Sequence, residues 1–324
     1  MKVGKISESV LKRTVIKEIK YKNKSVVKGA AVGNDATVFA HTDNQMVSSL
    51  ATYSGELTLS GKRAFAAAVN SVAAKGGKCI AVLVSIMMPE TVKESKLREL
   101  MVLLDEMGAA LGIQVAGGHT ETTGKIDASV VTVTAYGHLL YEENKSLEDG
   151  MDIVMIGNTG PEGTGVLAIE RENALRERFS KSYVDKAKEF MDELIIANEA
   201  AVAVQHGGRA MHNISKGGVF TALWELGEYL KCGMNIDLKA IPIKQETVEF
   251  CEIFDLNPYF IDGAGALLVV CEDGNKLAEV INETGKVAAV IGRTEPGHQK
   301  TIVNNGEMRY LESPKSGKPE AAYF

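Results

Sequence analysis

The sequence is poor in cysteine. Cys79, Cys232, Cys251 and Cys271 are its four, and no two of them form a C-x-x-C pair. That spacing argues against structural zinc clusters and dithiol redox motifs. Long apolar runs are missing too. The longest, CIAVLVSIMM over 79–88, falls well short of the ~20 residues that a spanning helix needs; it reads as a buried strand that Pro89 ends. The opening MKVGKISES has no signal-peptide hydrophobic stretch, so the expected compartment is the reducing cytoplasm. No lysine or arginine run interleaves with aromatics, and the net charge is -6. Both facts argue against nucleic acid and against an anionic membrane surface as partners. The spacing G-x-x-x-x-G-K-[ST] does not occur, which excludes the P-loop class. Local sequence suggests no Ser/His/Asp or Cys/His arrangement, although such partners need not be local.

What is present is a chain of 324 residues with 45% hydrophobic content, enough for two α/β domains with sizeable cores. The boundary falls in the polar stretch YEENKSLEDG at 141–150, giving expected domains 1–145 and 151–324. In the first, periodicity predicts a helix over 7–20, strands over 36–40 and 46–51, and a helix from a Ser60 cap to Lys75 that Gly76-Gly77 stops. A strand over 79–88, a helix over 91–111, a short strand over 113–116 running into a glycine loop, and a strand over 129–139 follow. In the second, strands are expected at 152–160, 210–212, 234–238, 266–271 and 287–292. The expected helices there are 164–171, 182–205, 219–231, 245–254 and 275–283.

Five stretches place glycine and polar residues at the end of an apolar element: VGNDATVF (32–39), VNSVAAKGG (69–77), VAGGHTE (115–121), IGNTGPEGTG (156–165) and MHNISKGGVF (211–220). Each alone reads as a turn; five together point to an anion or nucleotide site. In the last, Lys216 precedes Gly217-Gly218 where a helix starts. A helix N-terminus offers unpaired N–H groups and partial positive charge to a phosphate, glycine lets main chain approach, and lysine adds full charge; the alternative is a solvated lysine beside a cap. Glu121, directly after the Gly117-Gly118 pair, suits Mg²⁺, which takes one or two carboxylates together with phosphate oxygens. Asp35 is a second such candidate, or forms an Asx turn. His119 reads as an acid/base group or as a core histidine.

These stretches, in this order, resemble the aminoimidazole-ribonucleotide (AIR) synthase superfamily with its PurM-like fold, and within it the hydrogenase expression/formation protein E branch. The resemblance runs from about residue 30 to 295. GGHTE at 117–121, MHNISKGG at 211–218 and PIKQETVEFCEIFDLNPYFI at 242–261 carry it. It implies an N-terminal α+β domain that pairs with a second subunit in a shared β-barrel, a C-terminal α/β domain, and a homodimer. ATP would lie between the glycine-rich elements, with Asp35, Asn70, Gly117, Gly118, Thr120, Asn213, Lys216, Gly217 and Gly218 on the nucleotide. Asp35 and Glu121 would be the metal ligands, and Glu121, His119 and Lys216 the catalytic candidates. In that branch ATP dehydrates a thiocarboxamide carried on a C-terminal cysteine, which places a protein of the maturation pathway among the expected partners.

The departures from the pattern are systematic. Gly-Asp-Asp-Ala becomes Gly33-Asn34-Asp35-Ala36, Tyr53 stands at an aspartate position, Asn-Asp becomes Asn70-Ser71, His-Asp becomes His212-Asn213, and Ala264 replaces a glutamate. The last cysteine is Cys271, so the carrier thiol is missing from the tail KSGKPEAAYF. Two unit charges 4 Å apart interact by roughly 4 kcal/mol at an effective dielectric of 20, so losing several carboxylates weakens the hold on Mg²⁺. Anion binding survives such losses more readily than metal-assisted phosphoryl transfer does. Three functions remain open: an ATP-dependent enzyme using Asp35, Glu121 and Lys216; a dimeric scaffold or regulatory binding protein without turnover; and a kinase-like or maturation activity in which Glu56 replaces the lost acids.

Overall fold

The computed structural model describes residues 8, 12, 26–28, 31–39, 45–142 and 150–314. The expected helix over 7–20, apart from Glu8 and Lys12, and the core of the expected linker lie outside the described residues. Two units emerge, each treated by itself. One, here the N-terminal unit, holds residues 23–29 and 35–142; the other, the C-terminal unit, holds residues 1–22, 30–34 and 143–324.

The N-terminal unit is a six-stranded sheet with two helices. Its strands are β1 (Val26–Lys28), β2 (Thr37–Phe39), β3 (Met46–Gly55), β4 (Gly77–Met88), β5 (Gln114–Thr122) and β6 (Ser129–Leu139). They lie in the order β1-β2-β3-β6-β4-β5, and every pairing is antiparallel except β4 with β5. Helices α1 (Leu57–Ala74) and α2 (Glu94–Leu111) complete it. The strands alternate as a half-covered sheet requires. Val82, Val84, Ile86, Val131, Val133 and Ala135 are buried, whereas Leu50, Ile80, Leu83 and Met87 of the other face remain exposed. Alanine-rich α1 is a strong helix former with little side-chain bulk, and it buries Phe65, Ala66, Val69 and Val72. At Gly61 a Cβ would stand 2.2 Å from Leu100 Cδ1 of α2, so the helices cross there at close range.

Two expectations need correction. The cap of α1 is Glu56, whose Oε2 accepts the Leu59 N–H at 2.8 Å, rather than Ser60, which is buried inside the helix. The Gly117-Gly118 stretch is not a loop: it lies within β5, hydrogen-bonded in parallel to β4 with an irregularity at Val82/Leu83. The physical reason is close approach. At Gly118, with φ of 150°, a Cβ would stand 1.8 Å from the Val84 carbonyl oxygen, so a side chain there would push the edge strand off its neighbour.

The C-terminal unit is built on seven strands: β7 (Asp152–Ile156), β8 (Gly208–Ile214), β9 (Gly233–Asp237), β10 (Ala266–Cys271), β11 (Ala288–Glu295), β12 (Lys300–Asn304) and β13 (Glu307–Tyr310). Their order is β13-β12-β9-β11-β7-β10-β8. Central β7 and β10 are buried at every position, which is why DIVMI and ALLVVC read as unbroken apolar runs. The helices are α3 (Pro161–Glu170), α4 (Glu172–Arg176), α5 (Lys181–Lys188), α6 (Ala197–Gln205), α7 (Gly218–Leu230), α8 (Gln245–Ile253) and α9 (Gly274–Glu283). The single helix expected over 182–205 is broken by a 3₁₀ turn at Glu189–Glu193. Phe190, Met191, Leu194 and Ile196 are all buried, and no single face of a straight helix holds all four. One side of the sheet packs on α7 through Leu223 and Leu226 against Ile153, Met155, Leu268 and Val270. Trp224 of α7 is partly buried against this core; its Nε1 donates to Glu8 Oε2 at 2.8 Å, and the Lys300 ammonium lies 4.7 Å from its ring centroid.

Gly118→Ala is expected to lower the unfolding free energy by about 3 kcal/mol. A urea melt followed by circular dichroism reads this, and an unchanged midpoint would contradict the β4–β5 pairing. Burial pushes the Cys251 and Cys271 thiols up to about 12 and raises that of Cys79, so thiolate is scarce there at neutral pH. Iodoacetamide on the native protein at pH 8 is therefore expected to label partly exposed Cys232 well before the other three. Equal labelling in a peptide map would refute this.

Candidate functional site

In the N-terminal unit, the candidates on β5 divide between two faces. Register puts Gly117, His119 and Glu121 opposite Leu83, Ser85 and Met87, and Gly118 and Thr120 opposite Val84 and Ile86. His119 and Glu121 therefore project from the uncovered face, beside exposed Leu83 and Met87. Their side chains meet: His119 Nε2 and Glu121 Oε2 are 3.3 Å apart, and both are more than half exposed. This overturns the core reading of His119. An imidazole beside a carboxylate can hold or transfer a proton.

Asp35 sits elsewhere. Its carbonyl accepts the Ser49 Oγ–H at 3.1 Å, which fastens the segment to the helix-covered side of β3. Between β3 and β5 lie β6 and β4, three strand spacings or about 14 Å. Asp35 and Glu121 therefore cannot ligate one ion within a single chain. Among the described residues no group of three or more His, Cys, Asp or Glu side chains could hold a metal. Asn70 is fully buried on α1. Glu56 is exposed and engaged as the α1 cap.

Tyr53 is a residue whose surroundings the sequence did not disclose. It is buried at 3% exposure, with the Arg63 guanidinium 4.3 Å from its ring centroid. Cation–π attraction suits this geometry. A fixed positive charge beside the position where the resemblance expects an aspartate also opposes a divalent cation there.

In the C-terminal unit, β8 delivers His212 and Asn213, both buried, to a turn over Ser215–Gly217. His212 Nε2 lies 3.3 Å from Glu225 Oε2 of α7. Lys216 is half-buried. The Gly217 N–H, at the start of α7, already donates to Asp262 Oδ1 at 3.2 Å, and the Gly218 N–H donates to the Ser215 carbonyl at 3.1 Å. Glu162, in the first turn of α3, accepts the Ala264 N–H at 3.1 Å. Glu162 and Asp262 both have 0% exposure. Sequence reasoning missed both acids as well as Glu225. The one signal for Glu162 was its place after Gly160-Pro161, a helix-start pattern; nothing local marked Asp262.

Comparison with known proteins agrees with these geometries at the level of the fold. Residues 22–139 match the model of the AIR synthase related protein N-terminal domain, and residues 148–304 that of the C-terminal domain. A putative hydrogenase expression/formation protein of Methanocaldococcus jannaschii is 23% identical over 333 aligned residues, covering 98% of this chain and 96% of that protein. Among solved structures, a HypE–HypF complex superposes with a TM-score of 0.75 at 18% identity, covering 93% of this chain and 100% of that chain. The hydrogenase maturation protein HypE in complex with ATP superposes with a TM-score of 0.72 at 15% identity, covering 98% and 97%. With both domain models matched in sequence and the two-domain PurM-like architecture observed, the chain belongs to the AIR synthase related protein family.

Proposed function

We propose that this protein binds ATP as a homodimer in a hydrogenase-maturation role, and that its hold on the nucleotide does not depend on a divalent cation. The observation that carries the reading is the His119–Glu121 pair on the uncovered face of an edge strand. That face also exposes Leu50, Ile80, Leu83 and Met87, and a long edge strand with apolar neighbours calls for cover. A second copy laid on it would supply the cover and form the shared barrel that the resemblance implies. The similarity to the ATP complex of HypE supports ATP as ligand, and the similarity to the HypE–HypF complex supports a protein partner of that pathway.

In this reading the β5 main chain at Gly117 and Gly118 and the Thr120 hydroxyl face the phosphates. His119 holds or moves a proton with Glu121 as its acceptor. Asn70 of α1 remains a nucleotide-binding candidate although it is fully buried within one chain. In the C-terminal unit, Asn213 and Lys216 flank the start of α7, where Asp262 already takes the Gly217 N–H. Mg²⁺ would supply charge neutralisation of the phosphates alone, with Glu121 as the carboxylate on that face. No helix among the described residues is long and apolar enough to cross a membrane. A second reading, a dimeric scaffold or regulatory protein without turnover, is favoured by the Tyr53–Arg63 stack; release of ADP during prolonged incubation would exclude it.

Calorimetric titration is expected to give an ATP affinity that changes by less than about tenfold between EDTA and Mg²⁺. Glu121→Gln is expected to tighten ATP in EDTA by a few-fold, because an unscreened carboxylate repels the triphosphate. Several orders of magnitude gained on adding Mg²⁺, and lost in Glu121→Gln, would refute the metal-independent site. Leu83→Asp is expected to convert the dimer to a monomer in light scattering; a wild-type monomer would refute the assembly.

A further inference from the structure

The N-terminus of α7 looks in sequence like a phosphate site, yet in the structure an acceptor already lies against it. Asp262 Oδ1 takes the Gly217 N–H at 3.2 Å, and its carboxylate has no exposure to solvent. The segment that carries it, 257–264, crosses the mouth of the helix. A Cβ at Gly218 would lie 2.5 Å from the Tyr259 carbonyl oxygen and 2.6 Å from that of Ile261. The segment is fixed on both sides. Gly263 N–H donates to the Ser215 carbonyl at 3.1 Å, and Gly163 N–H to the Asp262 carbonyl at 2.8 Å. Tyr259 stacks on Phe220 of α7 with centroids 4.8 Å apart and planes 7° from parallel. Ala264 N–H is held by the equally buried Glu162.

A carboxylate at a helix N-terminus makes the interactions that an anionic ligand would make there: charge against the partial positive end and an acceptor for the first free N–H. A buried carboxylate also lowers the local potential for any second anion. We propose that Asp262 is an internal substitute for a ligand phosphate, and that it sets the specificity of the C-terminal unit against phosphate-bearing ligands. The ligand group received by this unit is then neutral or cationic, such as an amide or an amine. This deepens the reading above, on which it rests for the nucleotide, by assigning phosphate recognition to the N-terminal unit.

The test uses the full chain and inorganic phosphate as probe, with thermal midpoints measured from 0.1 to 50 mM phosphate at constant ionic strength, a range chosen around the weak binding expected of a single exposed helix end (about millimolar). Wild-type protein is expected to show no saturable shift. Asp262→Ala opens the mouth of the helix and is expected to gain a saturable shift, with affinity at least about tenfold above wild type. Asp262→Asn keeps the shape and the acceptor while losing the charge. It serves should the alanine variant not fold, and is expected to bind phosphate about threefold tighter than wild type. Saturable phosphate binding by wild type, or no gain in whichever variants fold, overturns the proposal. ATP affinity is measured on the same proteins. If wild type binds no ATP, the nucleotide reading fails, while the phosphate comparison still decides the role of Asp262.

Discussion

A sheet covered by helices on one face only is the constraint from which most of the N-terminal unit follows. α1 and α2 bury the inward side chains of β3, β4 and β6, and the outward ones at Leu50, Ile80, Leu83 and Met87 stay in solvent. The same asymmetry sorts the candidate residues. His119 and Glu121 belong to the uncovered side, while Asp35 is tied through Ser49 to the covered one. Residues that the resemblance assigns to one site thus become two groups on opposite surfaces of a single layer, and any chemistry uniting them must come from outside that layer.

Much of this architecture was legible in the amino-acid order. The strand over 129–139 and the helix of α8 follow from alternation and from 3.6-residue spacing, because their packing demands agree with their local preferences. Where the two conflict, pattern reading erred. A glycine pair followed by polar residues has the composition of a loop, but β4 offers hydrogen-bonding partners along its edge and the absence of a side chain at Gly118 allows them to be used. The hairpin of β12 and β13 escaped notice although Asn305-Gly306 is a common two-residue turn. Their φ values of 53° and 83° are those of the type I′ form, and a closer reading of TIVNNGEMRY would have found it. The site was less legible than the fold. Asp262 lies 45 residues from Gly217, and nothing in either neighbourhood announces the other.

The distribution of charge also differs from what residue-by-residue comparison suggests. Counting replaced acids gives a chain that has lost carboxylates. The structure shows acids retained in other employment: Glu56 on the first turn of α1, Glu162 on the Ala264 amide, Asp262 on the Gly217 amide. Each satisfies a main-chain donor that would be costly to leave unpaired in a buried or terminal position. Tyr53 and Arg63 show the converse, a cation kept in the interior by an aromatic face. Electrostatic support for the fold and electrostatic support for a bound ion draw on the same few side chains, and here the fold holds most of them.

Trp224 is the sole indole in the chain. It sits on α7 between Glu8 and Lys300, so its emission is an optical probe of the C-terminal unit alone. Fluorescence excited at the red edge of indole absorption would follow melting of that half, and the seating of Glu8 against it, without contribution from the tyrosines of the other half. The molecule therefore allows one half to be watched apart from the other with no label attached.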